Sequence, residues 1–180
     1  TPNACNQCHT KEDASWSLRA MRAWGISFRD TNTHHGRLFD RFARGDASVV
    51  PQLAALANSS DTPPIWRATA MEALGQAGGR EALQSATALL YDDDPLLRVS
   101  TIRALDFLPL NQRFSLLQPL IDDEITAVRM EVAVSLAGIP VAQLAPEQSE
   151  ALSALFTEYE AVLTEHADMP SVQLQLGVFH

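Results

Sequence analysis

Cys5-Asn6-Gln7-Cys8-His9 is the one run in this chain whose residue types and spacing specify a chemistry. Two thiols three residues apart, followed at once by an imidazole, match the C-x-x-C-H pattern of covalent haem attachment. In that reading Cys5 and Cys8 become thioether anchors and His9 the proximal iron ligand. These are the only two cysteines, so no pair remains for a disulfide framework.

Other chemistries use the same residues. A redox-active Cys5–Cys8 disulfide belongs in a βαβ setting, whereas the rest of this sequence has helical periodicity. A structural zinc ion takes about four protein ligands, and no second cysteine pair completes such a set. A chance motif on a loop is the remaining alternative. Haem c is the favoured cofactor, and its motif stays empty in protein made without haem-maturation machinery.

A second axial ligand has several candidates. His34 and His35 follow the first long helix, and His35 is preferred because Gly36 allows close backbone approach. Met21 is a runner-up, although a helical Met between two tryptophans reads first as core. Trp16 and Trp24 could lie against a macrocycle but also read first as core. Arg19 and Arg22 face elsewhere and read as solvated charges rather than propionate partners. His166 and His180 read as surface residues.

The elements that must position these groups are helices. Thr10 resembles an N-cap with acidic Asp13 three residues on. The helix it opens carries Trp16, Ala20, Ala23 and Trp24 at three- and four-residue spacing, and Gly25 stands where a glycine would end it. A loop through Gly36 and a short helix ending near Gly45 follow.

Beyond that point the sequence repeats. Arg67, Arg98 and Arg129 are spaced by 31 residues, as are Asp61, Asp92 and Asp123. An apolar helix precedes each pair (from Val49, from Glu81, from Arg113) and an Ala/Val/Leu-rich helix follows it. Units of this kind bury their apolar faces only by stacking. Asp at these turns suits helix capping, and Pro suits a first helical turn. The acidic runs at 92–94 and 122–124 therefore read as caps rather than as a calcium site.

The Asp–Arg pairs and the helices after them resemble HEAT repeats, with a period shorter than the usual ~40–47 residues. That resemblance implies an all-α, HEAT-like α-solenoid over residues 46–140. It also implies a structural ladder made by Asp61, Arg67, Asp92, Arg98, Asp123 and Arg129. Residues 141–180, with Tyr159, Val162, Leu163, Pro170 and Leu174-Gln175-Leu176-Gly177, resemble the start of a tetratricopeptide (TPR) array. Residues 1–45 form the haem attachment segment. The order of these parts resembles bacterial multihaem c-type cytochromes, of which this chain looks like a C-terminal piece with one haem motif.

The resemblance implies electron transfer, with the repeats docking a redox partner or other haem segments of the same protein. A repeat scaffold with a structural or unloaded haem motif is the alternative, and part of a multihaem oxidoreductase a second one. No Ser-His-Asp order, paired-carboxylate motif or phosphate loop marks a catalytic site. A periplasmic or otherwise exported location is implied too. The opening on Thr1-Pro2-Asn3 carries no signal peptide, which says little for a chain that reads as excised from a longer one.

Composition narrows the partners. Thirteen basic against twenty-two acidic residues give a net charge of −9, which steers the chain away from nucleic acid and anionic lipid. No apolar run approaches the ~18 residues of a membrane span. With 46% apolar residues, the chain can build a continuous core.

Overall fold

The computed structural model describes residues 4–26 and 34–179, except for the side chain of Val178. The fold is all-α, with no strand among the described residues. The chain forms two compact units, residues 1–37 and 38–180.

The first unit holds α1 (Ala4–Cys8) and α2 (Ala14–Ala23). Asp13, not Thr10, is the N-cap of α2: its carboxylate accepts the Trp16 N–H at 2.7 Å. The cap thus lies three residues beyond the expected one, because the chain still turns between His9 and Glu12, and with Trp16 at the third helical position no capping box forms. Gly25 ends the helix as anticipated, at φ +78°. There its N–H bonds Arg22 O while Ile26 N–H bonds Met21 O, the paired closure of a Schellman end.

His35 and Gly36 open α3 (His35–Ala43) rather than belonging to the preceding loop. A 3-10 turn leads into α4 (Val50–Ala57). α5 (Pro64–Ala77) follows, with Pro64 in its first turn, where the missing N–H is no loss. Gly78 and Gly79 then sit at φ +66° and +81°, a backbone region that lets the chain reverse directly into α6 (Gly79–Leu89). The remaining helices are α7 (Pro95–Ala104), α8 (Leu110–Leu117), α9 (Thr126–Ser135), α10 (Pro146–Thr164) and α11 (Pro170–Phe179).

α5 packs against both α4 and α7, α7 against α9, and α9 against α10. Because α7 is enclosed on two sides, it buries polar as well as apolar positions: Leu97, Arg98, Ser100, Thr101, Ile102 and Ala104. α5 and α7 come close at Gly75, where an added Cβ would stand 2.5 Å from Ala104 Cα. The core runs from Val49 to Leu163, with Leu53, Met71, Leu74, Leu105, Leu117, Val132 and Leu152 fully buried. Each such side chain contributes about 1.5–3 kcal/mol by leaving water. At the C-terminal end Phe179 closes on Phe156 and Tyr159, with ring centroids 5.2 and 4.8 Å away.

Candidate functional site

Cys5 and Cys8 lie one turn apart on α1, so both thiols emerge on the same side. Both are free. His9 continues that turn, its N–H bonded to Cys5 O at 2.9 Å. All three line one cavity of about 690 Å³, whose opposite wall is the Trp16, Ser17, Ala20 and Trp24 face of α2. That volume falls in the ~300–1,000 Å³ range of cofactor and ligand sites. Cavities elsewhere, at Asp122–Glu158, at Tyr159–Phe179 and at Glu72–Arg103, measure about 330, 300 and 340 Å³.

The His9 ring lies against the Trp16 indole, centroids 4.6 Å apart and planes 41° from parallel. Trp24 is 72% exposed. It is therefore not the core residue its helical spacing suggested, but an apolar surface at the cavity wall. Sequence reasoning also passed over Asn6, whose Nδ2 donates to the carbonyl oxygens of His9 and Glu12. Its Oδ1 accepts from Ser17 Oγ at 3.3 Å, and Ser17 is the buried polar residue of α2. Nothing in the residue types around Asn6 announced these bonds.

The other candidates stand as follows. Met21 is on α2 but does not line the cavity. Arg19, Arg22 and His166 are exposed, as expected, and His180 lies outside the described residues. His34 is exposed just before α3, and its Nδ1 accepts the Gly36 N–H at 3.0 Å. In a neutral imidazole this bond leaves the proton on Nε2. His35 is half-buried in the first turn of α3.

Of the six ladder residues, Arg67 and Arg98 reach from one turn to the next. Arg67 Nη2 meets Asp92 Oδ2 at 2.8 Å, and Arg98 Nη2 meets Asp123 Oδ1 at 2.9 Å, so each arginine takes the next acid along. Arg129 continues the series on Glu158 of α10, a residue outside the 31-residue period. Asp61, the first acid, is exposed and has no arginine partner among the described residues. The arginines also bond backbone: Arg67 to Ala57 O, Arg98 to Asp92 O, Arg129 to Asp123 O. Asp92 and Asp123 do not cap helices. They accept the N–H two residues on, from Asp94 and Ile125, while Asp94 caps α7.

The Arg129 guanidinium holds the Glu158 carboxyl below the usual glutamate range by hydrogen bonding, against a smaller opposing effect of burial. No group of three or more His, Cys, Asp or Glu side chains gathers in metal-binding geometry among the described residues. No helix among them is long and apolar enough to cross a membrane. No protein-family model, characterised protein or solved structure matches the chain.

Proposed function

We propose that this chain is a segment of a c-type cytochrome that carries covalent haem on its N-terminal unit and transfers electrons. The observation that carries this reading is the convergence of Cys5, Cys8 and His9 on one cavity walled by Trp16 and Trp24. Each thiol would add its S–H across one vinyl C=C, sulfur to one carbon and hydrogen to the other, with no leaving group. His9 would hold the iron through a ring nitrogen. The residues fit such a group: a broad cavity, an exposed indole for a flat apolar face to cover, and two free thiols on one side. When bound, haem supplies an iron couple whose potential the protein tunes through ligand and burial.

His35 is the favoured sixth ligand, since the hydrogen bond of His34 places a proton on the nitrogen that would have to face iron. The second unit is then a HEAT-like α-solenoid, with α10 and α11 as the start of a TPR-like array. Arg67 and Arg98, each reaching the acid of the next turn, support that assignment. It would dock a redox partner or further haem segments of the same protein, in the periplasm or another exported compartment.

A second reading, a repeat scaffold with an unloaded motif, is favoured by Ile65 and Leu96. These stand 31 residues apart in the first turns of α5 and α7 and are 58% and 42% exposed, as a docking stripe would be. The test is production in a periplasm with haem-maturation machinery, followed by a reduced pyridine haemochrome spectrum. Covalent haem is expected in the unmutated chain and is lost in the Cys5→Ala/Cys8→Ala double variant. A haem-free unmutated chain sinks the cytochrome reading and leaves the scaffold.

A further inference from the structure

We propose that Asn6 and Trp16 are positioning residues that hold His9 in one orientation toward the iron; this rests on the haem reading above. A helix of five residues is too short to be stable by itself, so α1 must be fixed from outside. Asn6 does this from within the motif. One side chain amide bonds the His9 carbonyl at 3.4 Å, the Glu12 carbonyl beyond it, and through its oxygen the Ser17 hydroxyl of α2. Ser17 is only 5% exposed, so the anchor lies on the firm side of α2. The backbone of His9 is thereby tied to the helix that forms the opposite wall of the cavity.

The side chain is held separately. The Trp16 indole lies 4.6 Å from the imidazole, and Trp16 is itself fixed at the first turn of α2 by the Asp13 cap. Rotation is fixed only while both contacts hold, because a shift of the His9 backbone carries its ring away from the Trp16 indole. Outer residues that orient an axial histidine tune its metal as well as its affinity. A ligand already in place also binds without the cost of immobilising its rotamers.

The test compares the full 180-residue chain with Asn6→Asp, Trp16→Ala and Trp16→Phe, both unloaded and haem-loaded. Asn6→Asp keeps the shape but removes the donor. In the unloaded chains, three-bond Hα–Hβ couplings report the His9 rotamer. A single rotamer is expected in the unmutated chain and in Trp16→Phe, and averaged couplings in Trp16→Ala and Asn6→Asp. In the loaded chains the midpoint potential is expected to shift in the latter two and return in Trp16→Phe. Should Asn6→Asp fail to fold by circular dichroism, Ser17→Ala, which removes one anchor, carries the same expectation.

Averaged couplings in the unmutated chain would overturn the proposal. So would couplings in the unloaded chain, or potentials in the loaded one, that both variants leave unchanged. An unmutated chain that takes up no haem fails at the earlier step and overturns the cytochrome reading with it.

Discussion

Arg98 reaches across 25 residues of sequence to set its Nη2 2.9 Å from Asp123 Oδ1, with only 9% and 8% of the two side chains exposed. Its second terminal nitrogen, Nη1, bonds the carbonyls of Asp92 and Asp93, so one guanidinium ties two successive turns together. Removing one member of a buried pair strands the other charge. Arg98→Ala is therefore expected to cost about 3–5 kcal/mol in urea unfolding, and Arg98→Met with Asp123→Leu far less. Arg44→Ala, which breaks the fully exposed pair with Asp40, is expected to leave stability nearly unchanged. Equal costs for Arg98 and Arg44 would show that the buried pair is not what joins the turns.

Gly75 gives a prediction opposite in sign to helix propensity. In an open helix Gly→Ala gains about 1 kcal/mol. Here the new methyl would stand 2.5 Å from Ala104 Cα, a backbone atom that cannot rotate away. Gly75→Ala is expected to destabilise by about 1–3 kcal/mol through overpacking. A rise in the thermal midpoint would mean that α5 and α7 separate freely.

The Arg129–Glu158 pair sets a pH dependence. Because Glu158 has a lower pKa folded than unfolded, its contribution is fully present above the ordinary glutamate range. It is lost as pH falls through the depressed folded value. Water reaches both side chains, 20% and 35% exposed, so the effect is modest. Glu158→Gln should flatten that part of the acid limb in a series of unfolding curves. An acid limb that keeps its slope there would assign the dependence to other carboxylates.

The two histidines before and within α3 are separable by spectroscopy. In haem-loaded protein, His35→Ala is expected to lose the low-spin absorption of a six-coordinate iron, and His34→Ala to retain it. Instead, His34→Ala should cost about 0.5–1 kcal/mol, because its Nδ1 accepts the Gly36 N–H at the start of α3. A low-spin spectrum that survives both variants would place the sixth ligand on another residue.

Much of the helical organisation was legible in the chain itself. Period and punctuation, such as Pro64, Pro95 and Gly25, located α2, α5, α7 and α9 within a few residues, because these signals act locally. Caps were less legible. Thr10 and Asp13 both have capping side chains, and which one serves depends on where the turn after His9 closes. Trp24 was misjudged for a related reason. Spacing assigns a residue to a helix face but does not say what that face meets, and here it meets the cavity and water.

The sequence by itself determined the residue types at the motif, the 31-residue recurrence of Arg and Asp, and hence that each turn carries a cation and an anion. Covalent order and helical period are properties of neighbouring residues, so they need no fold. Only the tertiary structure decided which acid each arginine takes. Arg67 could have paired with Asp61, six residues away, but the packing of successive helices presents Asp92 instead. It likewise decided that Asn6 bonds Ser17 and that Trp16 lies on His9, since those approaches exist only once α1 and α2 close around one cavity.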